Sequence, residues 1–365
     1  MTKFSLASIL KPLAEGHDIS ADQAESMMRS FILGDFSPVE LGCIMMGMRL
    51  KGETPEELEG MVRAYRAASI TVATSPDLDV VDVCGTGGDG PSAGVFNIST
   101  TSMFVAAGAG VPMTKHGTSA VSSQSGSSDV LEALGGRNLR NPRQVSECLD
   151  AIGLAFMHGP SFNQGMKNVI QSRREAGIRS FFNLLGPMSN PANPRRQVIG
   201  IYDRRYTNVV AETLGRLGAV HVMAVSAHNG LDEISTEGLT QISEFKNGKV
   251  TTMQFDPAPF GFSKIDWDEL HGGDPAFNAS KMIRILNGQI SGCAREIVAL
   301  NAAAAIIVGG LASSFEEGLA MADQSIDSGR ALEKLDDYRR WTSREDQVVA
   351  NIMPPEEDGR EAAMV

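Results

Sequence analysis

The chain has 365 residues, 42% hydrophobic and 21% charged, which is room for about two domains with sizeable cores and excludes wholesale disorder. Its 32 lysines and arginines face 44 aspartates and glutamates, a net charge of −12. That balance argues against a general nucleic-acid or membrane-surface binder, whose affinity rests on excess positive charge, and leaves room for a local basic pocket.

Residues 1–72 read as a small all-helical domain. Ser20 precedes Gln23, Ser37 precedes Pro38 and Glu40, and Thr54 precedes Pro55 and Glu57, three capping-box starts, two with proline at the first helical position. The Met-rich run Cys43 to Met48 is expected to pack. The first apolar stretch is broken by Lys11 and Pro12 and lacks a signal-peptide layout. Cys43, Cys84, Cys148 and Cys293 form no CxxC pair and are expected to be buried thiols in a reducing compartment. The expected location is the cytoplasm.

After a linker at Ala73 to Asp77, residues 77–341 read as an α/β domain with a mainly parallel sheet covered by helices. Leu78 to Cys84 is a β-branched run ending in GTGGDG, residues 85–90. Backbone amides can wrap an anion only in conformations that favour glycine, so Gly85, Thr86, Gly87, Gly88 and Asp89 form a candidate anion loop. A lone glycine cluster is as often a plain tight turn, and this one matches no nucleotide fingerprint. NIST follows. Asn97, Ser99 and Thr100 supply polar groups where the run Met103 to Ala109 starts a helix, whose open N–H groups favour a phosphate. Ser99 as an ordinary N-cap explains only one of these three residues. Lys115, His116 and Gly117 follow the apolar segment Ala109 to Met113, which puts a cation at a second strand end. Ser122, Ser123, Ser125, Ser127 and Ser128 crowd a third turn before the helix Val130 to Leu134. Three polar turns at successive strand ends describe the lip of a parallel sheet, where open α/β folds bind ligands.

Further strands are expected at Leu154 to Met157, Gln197 to Tyr202 and Val220 to Val225, with a helix starting at Asn141 and Pro142. Asn247 and Gly248 mark a hairpin on an antiparallel margin. Helices return from Ala279 to Ser328, and the apolar run Ile297 to Ala312, interrupted by Asn301, is shorter than the roughly 20 residues that span a bilayer. The charged, proline-containing segment 342–365 is expected to be a flexible tail.

Asp232 and Glu233 are adjacent carboxylates in a glycine-preceded loop. Such a pair is ordinarily a solvated turn; beside a phosphate module it suits Mg²⁺, which takes one or two carboxylates together with substrate phosphates. On the segment 161–180, Lys167, Arg173, Arg174 and Arg179 form a basic stripe. Guanidinium groups can take a carboxylate bidentately, whereas Arg174 reads as solvated helix face.

GTGGDG, NIST, KHG and VSSQSGSSD, with FFNLLGPMSNPA (181–192), GLDEIS (230–235) and GGDPAFNA (272–279), resemble the anthranilate phosphoribosyltransferase family of glycosyltransferase family 3, from residue 4 to about 341. The resemblance implies transfer of the 5-phosphoribosyl group from phosphoribosyl pyrophosphate (PRPP) to the amine of anthranilate, a step of tryptophan biosynthesis that releases pyrophosphate. It implies donor contacts from Gly85, Thr86, Gly87, Gly88, Asp89, Asn97, Ser99, Thr100, Lys115 and Ser127, and Mg²⁺ at Asp232, Glu233 and Ser99. The acceptor would be lined by His116, Gly117, Thr118, Asn163, Met166 and Arg173, with Arg173 on its carboxylate and the segment 161–180 packed on the N-terminal helices. No general base is assigned. A homodimer through those helices is expected.

Four positions depart from the family pattern. The usual HGNR is HGTS here, so Thr118 and Ser119 replace an amide and an arginine, and Asn163 stands at a usual histidine position. Met166 occupies a position that is often tyrosine. A missing charged hydrogen bond is worth a few kcal/mol, enough to change acceptor preference. A related phosphoribosyltransferase with another acceptor is therefore the second reading. A non-catalytic nucleic-acid-binding relative and a nucleoside phosphorylase follow, disfavoured by net charge and by the carboxylate pair respectively.

Overall fold

The computed structural model describes residues 6–87, 94–120 and 124–352, with side chains to residue 344. The first four helices are α1 (Leu6–Ala14), α2 (Ala21–Leu33), α3 (Pro38–Lys51) and α4 (Pro55–Ala67). Each of Ser20, Ser37 and Thr54 caps its helix reciprocally with the Gln or Glu three residues on, worth about 1 kcal/mol apiece. Helix α3 is apolar on two sides: Leu41, Ile44, Met45 and Met48 are buried, while Val39, Met46 and Leu50 face outward. Cys43 lies on that outer side, so the expectation that all four thiols are buried holds for Cys84, Cys148 and Cys293 only. A two-sided apolar helix gives no signal of which side the core takes.

A seven-stranded sheet follows, built from β1 (Val81–Gly85), β2 (Met113–Gly117), β3 (Leu154–His158), β4 (Arg196–Gly200), β5 (His221–Ala227), β6 (Thr240–Lys246) and β7 (Lys249–Phe255). Their order is β3-β2-β1-β4-β5-β6-β7, parallel from β3 to β5 and antiparallel at β6 and β7. Asn247 (φ 53) and Gly248 (φ 75) close the last hairpin in the left-handed conformation such turns require. The chain leaves β1 first toward β2 and later toward β4, so the order reverses beside β1, and the crevice at that strand's end is where open sheets take ligands. Gly85 and Gly200 pair there, on neighbouring strands.

The helices between strands are α5 (Ile98–Gly108), α6 (Ser127–Ala133), α7 (Pro142–Ile152), α8 (Gly159–Phe162), α9 (Lys167–Ala176), α10 (Phe181–Leu185) and α11 (Thr207–Arg216). After the sheet come α12 (Trp267–Leu270), α13 (Pro275–Leu286), α14 (Cys293–Val308), α15 (Phe315–Asp327) and α16 (Arg330–Ile352). Strand periodicity sorts the core into two layers. Val198, Met223 and Val225 face α5, α14 and α16, while Ile199, Val222 and Ala224 face α10, α11 and the four N-terminal helices. The N-terminal helices thus share a core with one face of the sheet. The apolar run around Asn301 is α14, buried all round. Among the described residues no helix is long and apolar enough to cross a membrane.

The charged segment expected to be a tail from residue 342 begins instead as helix. Helix α16 continues past Thr342, which is 1% exposed and donates its hydroxyl to the Tyr338 carbonyl. Through Thr342 its apolar side packs on α5, while Lys334 and Arg339 donate to the Ile152 and Leu134 carbonyls.

Candidate active site

The carboxylate loop after β5 folds back over the ends of β1 and β4. Gly87 donates its N–H to Asp232 Oδ2 at 3.0 Å. The approach is so close that a Cβ on Gly85 would lie 2.5 Å from Asp232 Oδ2, and one on Gly200 would lie 1.8 Å from the Asp232 carbonyl. Glycine at these two positions makes room for a carboxylate at the switch point. Asn301 of α14 holds the loop from beneath, accepting from the Ile234 N–H (3.0 Å) and donating to the Ile234 carbonyl (2.9 Å). Sequence reading had seen only that Asn301 interrupts an apolar run.

Thr86 donates its N–H to the Gly200 carbonyl and its Oγ1 accepts from the Tyr202 N–H, each at 2.9 Å. Gly88 and Asp89 lie outside the described residues. Lys115 does not project from a strand end: it is the middle residue of β2, 3% exposed. Its ammonium reaches past β1, donating to the Val83 carbonyl and, at 3.2 Å, to Ser99 Oγ. Ser99 sits in the first turn of α5, and Asn97, rather than Ser99, occupies the N-cap position. Gly85, Ser99, Asp232 and Glu233 line a cavity of ≈ 10 Å³, room for about one ion or water. Thr100 is fully buried, its Oγ1 has no hydrogen-bond partner, and it does not line that cavity.

Burial, reinforced by the Asp232 carboxylate, pushes the Glu233 carboxyl well above its ordinary value, with Lys115 opposing. Glu233 Oε2 is sealed from solvent without a hydrogen-bond partner. Two adjacent carboxylates with an orphaned oxygen are a donor set that suits a hard cation such as Mg²⁺, with Ser99 across the cavity. Among the described residues no three His, Cys, Asp or Glu side chains converge, so remaining ligands would come from substrate and water.

At the end of β2, His116 Nε2 lies 3.0 Å from the Gly186 carbonyl and its Nδ1 3.5 Å from Asp82 Oδ2. Asn190 donates to that Asp82 oxygen at 2.9 Å, so the FFNLLGPMSNPA stretch is a brace for the His116 ring. Gly117 packs on Ser127, and a Cβ there would sit 1.9 Å from Ser127 Oγ. Thr118 accepts at its carbonyl from the Ser128 N–H at 3.2 Å, which joins this turn to α6.

Asn163, Met166 and Arg173 gather away from the switch-point cavity. Helix α9 packs on α2 and α3, with Asn168 donating to the Ile32 carbonyl at 2.7 Å. Asn163 and Met166 line a second small cavity with Ile32, Tyr65, Ala68 and Gly165. Asn163 Oδ1 accepts from Ser69 Oγ. Arg173 is half-buried with its guanidinium 4.9 Å above the Phe182 ring, and no carboxylate pairs with it among the described residues. Burial holds its pKa below the usual arginine value and pushes Tyr65 nearby up to about 12. Nothing in the types or spacing of Ser69 and Tyr65 distinguishes them from packing residues, and Phe182, within FFNLLGPMSNPA, carries no sequence signal of its place under Arg173.

Residues 77–332 match the family described as glycosyl transferase family, a/b domain, and residues 7–69 match its helical bundle domain. An anthranilate phosphoribosyltransferase of Acetivibrio thermocellus is 40% identical over 338 residues, covering 93% of this chain and 97% of that one. One from Rhodopseudomonas palustris is 42% identical over 328 residues, covering 90% and 96%. The crystal structure of the Thermus thermophilus enzyme superposes with a TM-score of 0.84 at 34% identity, over 92% of this chain and 99% of that one. The fold is shared as well with the Saccharomyces cerevisiae enzyme solved in complex with PRPP and Mg, at a TM-score of 0.82 and 24% identity, over 93% and 98%. With both of its domains matched and its length spanned by these relatives, the chain belongs to the anthranilate phosphoribosyltransferase family.

Proposed function

We propose that this protein transfers the 5-phosphoribosyl group of PRPP to the amine of anthranilate, releasing pyrophosphate, as a step of tryptophan biosynthesis. The observation that carries the reading is the meeting of Lys115, Ser99, Asp232 and Glu233 at the switch point, with Glu233 Oε2 left unpartnered. Bound Mg²⁺ would offset charge on the departing pyrophosphate. Lys115 supplies a fixed buried cation to the same end, while Asn97, Ser99 and Ser127 hold phosphate oxygens. Arg173, unpaired and backed by Phe182, takes the acceptor carboxylate and turns its amine toward ribose carbon 1. Positive charge develops on the ribose as the bond to pyrophosphate breaks, so alignment and leaving-group stabilisation dominate, with little demand for a base.

Pyrophosphate release from PRPP and Mg²⁺, with and without anthranilate, tests this beside Asp232→Ala and Glu233→Ala. Anthranilate-dependent release lost in both variants is expected; no release by the unaltered chain would overturn it. A second reading, the same donor chemistry with another acceptor, is favoured by Asn163, which the Ser69 hydroxyl ties in place, and by Thr118 and Ser119. Donor binding without anthranilate turnover would select it.

The outward stripe of α3, with Val39 (74% exposed), Cys43, Met46 and Leu50 (79% exposed), is a surface for a second copy of this chain, giving a homodimer through the helical domain. Four free thiols fit action in a reducing cytoplasm.

A further inference from the structure

GGDPAFNA, residues 272–279, carries no role in the reaction as proposed, yet it lies against the turn that leads into α5. Gly272 donates its N–H to the Gly94 carbonyl at 2.8 Å, Phe96 donates to the Leu270 carbonyl at 3.0 Å, and Val95 and His271 form an antiparallel bridge. A Cβ on Gly272 would lie 2.7 Å from the Val95 carbonyl. The two segments are therefore docked backbone to backbone immediately before Asn97.

Asn278, 2% exposed, completes the contact. Its Oδ1 accepts from the Gly273 N–H at 2.9 Å, and its Nδ2 donates to the Gly273 carbonyl at 3.3 Å and to Asn97 Oδ1 at 3.1 Å. The direction of each bond is decided in turn. A backbone N–H can only donate, so Gly273 settles which end of the Asn278 amide is oxygen. The Asn278 NH₂ end can only donate, so it settles that the oxygen of Asn97 points at Asn278. The NH₂ of Asn97 then points the other way, where it donates to the Ser125 carbonyl over a long 3.4 Å. An amide flip exchanges donor and acceptor with almost no change of shape, and only such a chain of bonds prevents it.

We infer that Asn278 is a positioning residue for the donor site: it locks the Asn97 amide with its NH₂ edge toward the phosphate module, ready for an anionic oxygen. The inference rests on the proposed PRPP chemistry and adds a residue to it. Without the lock, Asn97 presents its carbonyl to the phosphate for part of the time, and affinity for the donor falls while the bound complex reacts as before.

The test is a double-mutant cycle on the full-length chain. Asn278→Asp keeps the size and the bond from Gly273 and removes the N–H that holds Asn97; the shorter Asn278→Ser removes that N–H without adding a charge. Binding of inorganic pyrophosphate with Mg²⁺ is measured by calorimetry, steady-state turnover in parallel, and folding by thermal melts. Expected is a rise of about tenfold or more in the pyrophosphate Kd and in the KM for PRPP, with kcat and acceptor KM within about threefold. In an Asn97→Ala background the same substitutions should add almost nothing. An unchanged donor KM, or an effect that adds in full to that of Asn97→Ala, would overturn the inference: the first leaves Asn278 without influence, the second makes it scaffold or charge repulsion. The unaltered chain separates the two levels. If it binds pyrophosphate and does not turn over anthranilate, the acceptor reading fails and the cycle in binding still decides for or against Asn278; if it binds neither, both fall.

Discussion

Lys115 Nζ and Ser99 Oγ stand 3.2 Å apart beside β1, and the same ammonium also donates to the Val83 carbonyl in the middle of that strand. A lysine in the middle of a buried strand costs desolvation that a surface lysine avoids. Here the carboxylates of the switch-point loop are close enough to oppose that cost, since Lys115 acts to lower the raised Glu233 pKa.

Replacing Lys115 by methionine keeps the stem and removes the charge. The expected result is a loss of about 10²–10³ in kcat/KM for PRPP, the size found when one preorganised donor to developing charge is deleted. Stability should fall by about 1–3 kcal/mol, because the Val83 carbonyl loses its donor. Kinetics and chemical denaturation measure the two separately.

Gly200→Ala places a methyl group 1.8 Å from a backbone oxygen of Asp232, which no side-chain rotation can relieve. The carboxylate loop must move, at a cost of about 1–3 kcal/mol, and Mg²⁺-dependent PRPP binding should be lost well before the fold is. Retained binding, measured by calorimetry, would contradict the placement of the metal at this loop.

Arg173→Lys keeps a positive charge and gives up the planar fork and its stacking on Phe182. The KM for the acceptor should rise by about ten- to a hundredfold while the KM for PRPP stays put. Equal effects on both would remove Arg173 from the acceptor site.

Glu53 is 4% exposed, and burial raises its pKa above the ordinary 4.5. The Tyr206 hydroxyl, a backbone N–H and Arg49 offset only part of this. Below pH 4.5 the group is protonated in both states and costs nothing; as pH climbs from there through the raised native value, the unfolded chain ionises first and stability is lost. Glu53→Gln should therefore melt about 2 °C or more above the unaltered protein at pH 7.5, with the difference vanishing near pH 4. Melting curves across that range check it.

Leu50→Glu puts a charge on the outward stripe of α3, where the present side chain is 79% exposed. A dimer built on that face should dissociate to folded monomers, read by sedimentation velocity. An unchanged sedimentation coefficient would move the interface elsewhere or dispense with it.

The local sequence already determined the capping boxes of α2, α3 and α4, the Asn247–Gly248 hairpin, the strand segments and the positive-φ turn at Gly87. Each of these depends on neighbours within about four residues, through capping geometry, positive φ or the period of the strand. Candidates for the site were legible by residue type at Lys115, Asp232 and Glu233, because a charge in an apolar or glycine-rich context needs a reason, whereas Arg173 stood in an ordinary basic stripe and was marked only by the family resemblance. What only the tertiary structure decided is which groups meet. Asn301 lies 67 positions beyond the Ile234 backbone it holds, and Asn278 lies 181 beyond Asn97. Such contacts are set by the order in which strands enter the sheet, a property of the whole chain. The same cause moved Lys115 from a strand end to a strand centre, exposed Cys43, and carried α16 past Thr342: burial belongs to the packed layers, and the residue types alone do not reveal which side of an element those layers will cover.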